Sequence, residues 1–221
     1  MNIEEFSQKY FEFLNTELAG LNLTAIKEYD EFRVKQIADS IGPLEQSDFF
    51  KSVMDLEQPH IDIGFGGGFP ILPLAYKLPD KKFLGFEARK KKADAVTKIA
   101  DFLDIKNVTL QHARIEDILI DIPCSMSLKA VGPIGPFLSK IAPIEPVTVF
   151  FYKGPNFMKD EGEQIQEVIK HWELVCNEEV KVTGCDKRVI VGFKNKNVPR
   201  GTTKLSKNKN GQGLVKLSSF L

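Results

Sequence analysis

The amino-acid sequence predicts an α/β fold in which a mostly parallel, twisted sheet is preceded by helices and ends in an antiparallel edge hairpin. Three observations lead to this class. A glycine-rich turn follows an apolar strand in Asp62–Pro70. Apolar segments of strand length alternate with helical segments from His60 onward, as a parallel sheet requires. The last two predicted strands have no long crossover between them, so we expect them to pair as a hairpin.

Two helices are expected before the first strand. The segment from Ile3 to Ala19 places apolar residues along one side at helical spacing. Asp30 is a suitable N-cap for a second helix that runs through Ser40, because its carboxylate can accept a hydrogen bond from a free amide of the first turn. We expect these helices to pack beside the sheet or over a ligand site.

The chain from His60 onward alternates between predicted strands and helices. One helix begins at Pro70, which is tolerated there because the amide of the first helical residue has no intrahelical partner. Another spans Ala88 to Asp104 and carries an apolar stripe, and Gly132–Pro136 is expected to form a rigid, non-helical insert. The predicted strands are His60–Ile63, Lys82–Phe86, Asn107–Gln111, Ser125–Lys129, Val147–Tyr152, Trp172–Val182 and Arg188–Lys194.

The length of 221 residues suits one domain of ordinary size with an appended element. We predict a single domain over 1–194, with an N-terminal helical element at 1–45 and the sheet core at 58–194. Residues 195–221 form a predicted C-terminal tail that carries six basic residues and no acidic ones. Such a tail can contact phosphates, although its composition also suits a solvated, partly disordered end.

The composition excludes several classes of protein. Cys124, Cys176 and Cys185 are too few and too irregularly spaced for a disulfide framework or a zinc site. No apolar run reaches the roughly 18–20 residues that span a membrane, and no signal peptide is expected. These observations predict a cytoplasmic, metal-free protein that does not associate with membranes, and we expect it to be a monomer.

The spacing of the glycine loop indicates which ligand it binds. The sixth position counted from Gly64 is Phe69, so the G-x-G-x-x-G dinucleotide fingerprint fails, and no G-K-[ST] ends the loop as a Walker loop requires. The remaining pattern, acid-x-Gly-x-Gly-x-Gly, resembles the S-adenosylmethionine (AdoMet) loop of Rossmann-like methyltransferases. Its residues are Asp62, Gly64, Gly66 and Gly68.

A second acid follows at the distance that such a site needs. Glu87 ends the second predicted strand, 23 residues after Gly64. An acid there can accept hydrogen bonds from both hydroxyls of a ribose. By itself Glu87 is better explained as a solvated acid beside Arg89, but the glycine loop upstream favours a role in ligand binding.

Further motifs give the chain a resemblance to the RsmG (GidB) methyltransferases, which methylate guanine N7 in the 16S ribosomal RNA of the bacterial small subunit. The resemblance covers most of the chain. It implies a Rossmann-like methyltransferase fold, AdoMet as the cofactor, the small ribosomal subunit or its RNA as the partner, and a cytoplasmic location. The segments that carry it are Asn22–Ala25, Asp39–Ser40, Asp62–Pro73, Arg114–Glu116, Lys153–Gly154 and Pro199–Thr202.

The resemblance also implies roles for individual residues. Gly64 and Phe69 would line the AdoMet site, Ile115 and Glu116 would meet the adenine, and Glu87 would bind the ribose. No catalytic acid or base is expected, because guanine N7 carries a lone pair and no proton and can attack the methyl group directly.

Two positions on the expected substrate side depart from the family pattern. Lys129 stands where the family usually has arginine, and lysine keeps the positive charge but lacks the planar, bidentate fork. Gln36 stands where many members have histidine. Lys129, which is also assigned to the cofactor site, and Arg114 are the candidates for positioning guanine O6 or a nearby phosphate.

Three further functions remain open from the sequence. Asp121–Ser125 resembles the D-x-P-C-S segment of RNA cytosine-C5 methyltransferases, in which a thiolate attacks the base; the nucleophile would be Cys124. Against this interpretation, Phe151–Gly154 lacks the second cysteine that is expected at the next strand. The second function is methyl transfer to a small molecule or a protein, and the third is AdoMet binding without catalysis.

Overall fold

The computed structural model describes residues 1–185, 187–196 and 211–221. All seven strands predicted from the sequence are present, with ends that differ by at most two residues. The strands are β1 (His60–Ile63), β2 (Phe83–Glu87), β3 (Val108–His112), β4 (Ile118–Ile120), β5 (Cys124–Lys129), β6 (Ala142–Pro143), β7 (Val147–Lys153), β8 (Trp172–Val180), β9 (Arg188–Asn195) and β10 (Val215–Lys216). The α-helices are α1 (Ile3–Thr16), α2 (Tyr29–Phe32), α3 (Asp39–Gln46), α4 (Asp48–Met54), α5 (Ile71–Lys77), α6 (Lys90–Phe102), α7 (Ile134–Leu138) and α8 (Phe157–Val168).

The main sheet confirms the predicted fold class. Its strand order is β3-β2-β1-β5-β7-β9-β8. Neighbouring strands from β3 to β7 run parallel, whereas β9 pairs antiparallel with both β7 and β8. The order reverses between β1 and β5, so the carboxyl ends of these two strands flank the point at which open α/β sheets bind ligands.

Each face of the sheet is covered by a separate apolar cluster. On one face the N-terminal helices pack with α5 and α6, and the fully buried Phe6, Tyr10 and Phe32 belong to this cluster. On the other face α7 and α8 pack on the sheet through Leu138 and Ile165. The N-terminal element is therefore part of the core beside the glycine loop.

The second N-terminal helix is longer and less regular than predicted. α2 is followed by a π-helical stretch at Arg33–Ala38, which continues directly into α3. Asp30, the predicted N-cap, lies inside α2, and the N-cap position is Glu28, whose side chain makes no capping bond. The sequence patterns did not predict α4, whose first turn is capped by the Ser47 hydroxyl, an acceptor for the Phe50 amide at 3.0 Å.

The predicted non-helical insert at Gly132–Pro136 was wrong in its second half, because α7 begins at Ile134. Pro136 falls in the first turn of α7, where proline is tolerated. The Ile134 amide donates to a Glu161 carboxylate oxygen at 2.7 Å. This contact comes from α8, so the sequence near the insert could not reveal it.

The end of the chain returns to the sheet. β10 pairs with β4, which in turn pairs with β6 in a small parallel sheet. Leu217 is fully buried, and the Phe220 ring packs edge-on against Phe86 at 5.3 Å between centroids. The Pro199–Thr202 motif and most of the basic residues of the predicted tail lie outside the described residues.

Candidate active site

A cavity of about 740 Å³ opens at the carboxyl ends of β1, β2, β5 and β7, where the strand order reverses. The glycine loop after β1 forms one part of its wall, and residues from three other strand ends and the α2–α3 region form the rest. The lining residues that carry the argument below are Leu23, Gln36, Asp39, Gly64, Phe65, Gly66, Gly67, Phe69, Glu87, Arg89, Lys92, Lys129, Tyr152, Lys153 and Arg188.

The glycine loop adopts a backbone that only glycine takes easily. Gly64, Gly66 and Gly68 have φ angles of 68°, 55° and 91°, which lie in the left-handed region. A Cβ atom at Gly66 would have only the Gly64 carbonyl oxygen within 4 Å, at 3.8 Å. Gly66 lines the cavity, and because it has no side chain, a ligand can approach the backbone of the loop closely.

Glu87 closes the loop from the end of β2. Its carboxylate accepts hydrogen bonds from the Gly66 amide at 3.0 Å and from the Arg89 amide at 2.9 Å. Only 7% of Glu87 is exposed. An ionised carboxylate has about four acceptor positions, so two positions remain after these contacts. Glu87 therefore both shapes the loop and can accept hydrogen bonds from hydroxyl groups of a ligand.

Asp62 lies beneath the loop and does not line the cavity. It is fully buried, and its carboxylate accepts hydrogen bonds from the Ile71 amide at the start of α5 and from the Ser127 hydroxyl, both at 3.2 Å. Burial raises the pKa of Asp62 to about 7. In this position Asp62 fixes the path of the loop into α5 and makes no direct contact with the cavity.

A chain of buried polar groups leads from His60 to Asp62. Nδ1 of His60 lies 2.7 Å from the Ser125 hydroxyl, and Nε2 lies 3.0 Å from the Ser127 hydroxyl. Because the Ser127 hydroxyl donates a hydrogen bond to Asp62, its oxygen is the acceptor for His60, and the neutral ring carries its proton on Nε2. Burial lowers the pKa of His60 to about 3, so the ring is neutral at pH 7.

Gly68 and Phe69, both predicted at the cofactor site, are placed differently. Gly68 does not line the cavity, and a Cβ atom there would collide with the Tyr10 hydroxyl. Phe69 lines the cavity and lies under the ammonium of Lys129, which is 5.8 Å from the ring centroid. Gly68 is therefore a packing glycine, whereas Phe69 belongs to the wall.

Another part of the cavity wall contains a cluster of charged groups. Lys129 lies 2.8 Å from a carboxylate oxygen of Asp39, and the Arg188 Nε donates to the other oxygen at 3.0 Å. The Lys129 ammonium also donates to the Lys35 carbonyl at 3.0 Å and to the Gln36 side chain at 3.3 Å. Burial lowers the pKa of Lys129, and the nearby Asp39 opposes that shift. Lys129 and Gln36, the two departures from the family pattern, are thus in direct contact.

Three other predicted site residues do not line this cavity. Ile115 is buried in a short 3₁₀ helix, Ile115–Asp117, and Glu116 lies 3.4 Å from Lys140. Arg114 is exposed just before that helix. Their assignments to the adenine and to the substrate stay predictions.

Sequence reasoning missed Arg188, which begins β9 and reaches the cavity from the antiparallel hairpin. No local motif marks this residue. Its partner Asp39 is 149 residues away along the chain, so only the paired strands bring the two together.

The hypothesis of cytosine-C5 chemistry does not agree with the geometry. Cys124 is fully buried, does not line the cavity, and burial raises its pKa well above the usual range of a thiol. Asp121 of the same motif accepts two hydrogen bonds from Ser218, from its amide at 2.9 Å and its hydroxyl at 2.6 Å. Cys124 is therefore a core residue rather than an accessible nucleophile.

The described residues offer neither a metal site nor a membrane-spanning helix. In the part of the chain that the structure covers, no group of three or more His, Cys, Asp or Glu side chains is arranged to hold a metal ion. Over the same residues, no helix combines the length and apolar character needed to cross a membrane.

Known structures share the fold. Magnesium protoporphyrin IX methyltransferase from Synechocystis PCC 6803, solved with bound S-adenosylhomocysteine, aligns with a TM-score of 0.52 at 13% sequence identity. The alignment covers 86% of this chain and 100% of that protein. At this level of identity the similarity shows a common fold.

Sequence comparisons identify the family. A protein called Ribosomal RNA small subunit methyltransferase G from Leuconostoc citreum is 37% identical over 116 residues, which are 52% of this chain and 47% of that protein. The match thus spans about half the length of this relative and of the protein of the same name from Lactococcus lactis. The protein of the same name from Pseudothermotoga lettingae is 32% identical over 202 residues, which are 86% and 85% of the two chains. The family model for GidB, rRNA small subunit methyltransferase G, matches residues 3–190, and the chain therefore belongs to the GidB family.

Proposed function

We propose that this chain transfers the methyl group of AdoMet to N7 of a guanine in the 16S RNA of the small ribosomal subunit. The observation that carries the proposal is the cavity, which brings the glycine loop and Glu87 together with Lys129 and Arg188 in a member of this family. A ribosomal substrate would place the protein in the cytoplasm.

The loop fits a cofactor that contains a nucleoside. Gly66 leaves open space beside the backbone, and Glu87 keeps acceptor positions for the two ribose hydroxyls. We assign Gly64, Phe69 and Glu87 to the cofactor site on this basis, and Ile115 and Glu116 to its adenine end on the family resemblance alone. When bound, AdoMet supplies a methyl group activated by a positively charged sulfur.

The reaction requires alignment of the reactants rather than proton transfer. Guanine N7 has an in-plane lone pair and no proton, so the chain needs no general base to activate it. Holding N7 in line with the methyl carbon can contribute roughly 7–11 kcal/mol to the barrier reduction. Phe65 and Phe69 line the cavity, and aromatic rings in such positions can cover the face of an unstacked purine.

The charged part of the wall suits an RNA substrate. Lys129 and Arg188 share one carboxylate, so together with Asp39 they leave an excess of one positive charge. Arg89 and Lys92 add further cations to the lining, whereas the ammonium of Lys153 is paired with Glu161 at 2.7 Å. Among the described residues of the lining, carboxylates come only from Asp39 and Glu87. Contacts between these cations and phosphates would make RNA binding weaken with added salt.

The test is methyl transfer from radiolabelled AdoMet to small ribosomal subunits that lack the modification. Large subunits, transfer RNA and mixed protein are the control acceptors. The labelled RNA is then treated to cleave the strand at N7-methylguanine. We expect label in small-subunit RNA and a single cleavage site.

Each other result would reject a defined part of the proposal. Label in small-subunit RNA without cleavage would reject N7 as the target atom. Label in another acceptor would reject the ribosomal substrate. Absence of label from every acceptor, with AdoMet bound, would indicate a binding protein without catalysis. A Cys124→Ala variant should retain full transfer, because the buried thiol takes no part in N7 chemistry.

A further inference from the structure

Tyr10 of α1 contacts the glycine loop at two points. Its hydroxyl donates a hydrogen bond to the Gly67 carbonyl oxygen at 2.5 Å. Its ring stacks on the Phe69 ring, with 5.0 Å between centroids and 21° between planes. Tyr10 is fully buried, so both contacts are shielded from water. One side chain of the N-terminal helix thus holds the backbone and the aromatic ring of the loop together.

Tyr10 contacts residues that line the cavity but does not line the cavity itself. Gly67 and Phe69 both line the cavity, whereas none of residues 3–16 of α1 does. The Gly67 amide makes no hydrogen bond to another described residue, which leaves this donor for a ligand. Tyr10 binds the carbonyl of the next peptide unit, between Gly67 and Gly68, and so restrains the loop beside that donor.

The shape of the loop depends on the position of Tyr10. A Cβ atom at Gly68 would collide with the Tyr10 hydroxyl, and one at Gly67 would lie 2.6 Å from the Leu23 carbonyl oxygen. The loop is therefore pressed against two segments of the N-terminal element. Two adjacent glycines have wide backbone freedom of their own, so these external contacts fix the peptide between Gly67 and Gly68.

Packing alone does not require the hydroxyl of Tyr10. The ring also packs edge-on against Phe6 and Phe32, at centroid distances of 5.8 and 5.7 Å, and phenylalanine would fill the same space. The hydroxyl adds one interaction, the bond to the Gly67 carbonyl, and a buried tyrosine hydroxyl needs such a partner. A Tyr10→Phe substitution therefore separates the effect on the loop from the effect on the core.

We propose that Tyr10 is a positioning residue for the cofactor, acting through the Gly67 carbonyl and the Phe69 ring. The inference rests on the proposed function only in that the loop binds AdoMet; it is independent of the RNA substrate. Without the hydroxyl, the Gly67–Gly68 peptide loses its restraint, and part of the binding energy of the cofactor must be spent on ordering the loop.

The direct test is calorimetric titration of the Tyr10→Phe variant with S-adenosylhomocysteine in the absence of RNA. We expect the Kd to rise about tenfold, because the unrestrained loop of the variant must be ordered when the ligand binds. Tyr29→Phe is the matched control. The Tyr29 hydroxyl also holds α1 in place, by donating to Glu4 at 2.6 Å, but this bond does not involve the glycine loop. Its Kd should equal that of the wild type.

A second measurement uses only the wild-type protein and so does not depend on how the variant folds. Amide hydrogen exchange is followed by mass spectrometry with and without S-adenosylhomocysteine. We expect slower exchange in peptides from residues 3–16, although this helix does not line the cavity. Peptides from α8, residues 157–168, also lie outside the lining and should not change.

The outcomes separate this inference from the proposed function. If wild-type protein does not bind S-adenosylhomocysteine, the cofactor assignment itself fails. If wild type binds, but Tyr10→Phe binds equally well, Tyr10 is only a core residue and the inference is overturned, whatever the melting temperature of the variant. Unchanged exchange in residues 3–16 on ligand binding would overturn it as well.

Discussion

The ammonium of Lys129 lies 2.8 Å from the carboxylate of Asp39, and this ion pair joins the end of β5 to the start of α3 across one wall of the cavity. The two side chains are only 12% and 5% exposed. Arg188 binds the second oxygen of the same carboxylate at 3.0 Å. Asp39 is therefore the common anchor that holds two cations toward the cavity.

The Asp39→Asn substitution should destabilise the fold. It removes the charge that compensates nearly buried Lys129, and breaking a buried pair from one side costs about 3 kcal/mol. Urea denaturation measures the free energy of unfolding. The matched control is Asp94→Asn, which breaks the pair with Lys90 between side chains that are 69% and 55% exposed; its loss should be below about 0.5 kcal/mol. Equal losses in the two variants would contradict the anchor role.

Alanine at two neighbouring glycines should have different consequences. At Gly67 the new Cβ atom would lie 2.6 Å from the backbone oxygen of Leu23, so the loop must move away from the N-terminal element. Such overpacking typically costs about 1–3 kcal/mol. At Gly66 the space is open, and the cost should be limited to the strained φ of 55°, about 1 kcal/mol. Urea denaturation of both variants checks this order, and a larger loss for Gly66→Ala would contradict it.

The Glu87→Gln substitution should weaken cofactor binding through the ribose. The Glu87 carboxylate accepts hydrogen bonds from the Gly66 and Arg89 amides and has further acceptor positions for a ligand. A glutamine has only one acceptor oxygen and cannot make all of these bonds. We expect the Kd for S-adenosylhomocysteine to rise about tenfold or more, in line with the loss of hydrogen bonds to a charged group.

A modified ligand supplies the control for Glu87→Gln. The 2′,3′-dideoxy analogue of S-adenosylhomocysteine has no ribose hydroxyls, so the substitution should weaken its binding less than that of S-adenosylhomocysteine. If the variant weakens both ligands by the same factor, Glu87 acts only by shaping the loop, and its assignment to the ribose is wrong.

The parts of the site that were predictable from the sequence depend on local pattern. The glycine turn and Glu87 end adjacent parallel strands, and such strand ends must meet at one edge of the sheet. Arg188 and Tyr10 were not predictable as site residues, because each reaches the site through contacts far apart in the chain. Asp39 is 149 residues from Arg188, and Tyr10 is 57 residues from Gly67. Periodicity marks which residues are buried, but it does not say which loop they support.

The sequence motif was likewise not sufficient to predict the position of Asp62. Its place in the motif suggested a contact with the ligand, whereas the structure puts it under the loop, in a buried chain with Ser127 and His60. Burial shifts both titratable groups toward their neutral forms. The pKa of Asp62 rises from 3.8 to about 7, and the pKa of His60 falls from 6.5 to about 3. These opposite shifts lead to a test by pH.

Between about pH 4 and 6.5 the two shifts should cancel in the wild type. In this range the unfolded chain carries the proton on His60, and the folded chain carries it on Asp62, so folding leaves the number of protons bound by the pair unchanged.

The His60→Gln substitution removes the group that is protonated in the unfolded chain. The folded state then binds one more proton than the unfolded state, and stability relative to wild type should rise as the pH falls, by about 1.4 kcal/mol per pH unit. Asp62→Asn should show the opposite slope, with stability relative to wild type falling as the pH falls. Urea denaturation at a series of pH values measures both slopes, and groups common to all three proteins cancel in the differences. Parallel pH profiles for the three proteins would show that the buried chain does not hold these two groups in their neutral forms.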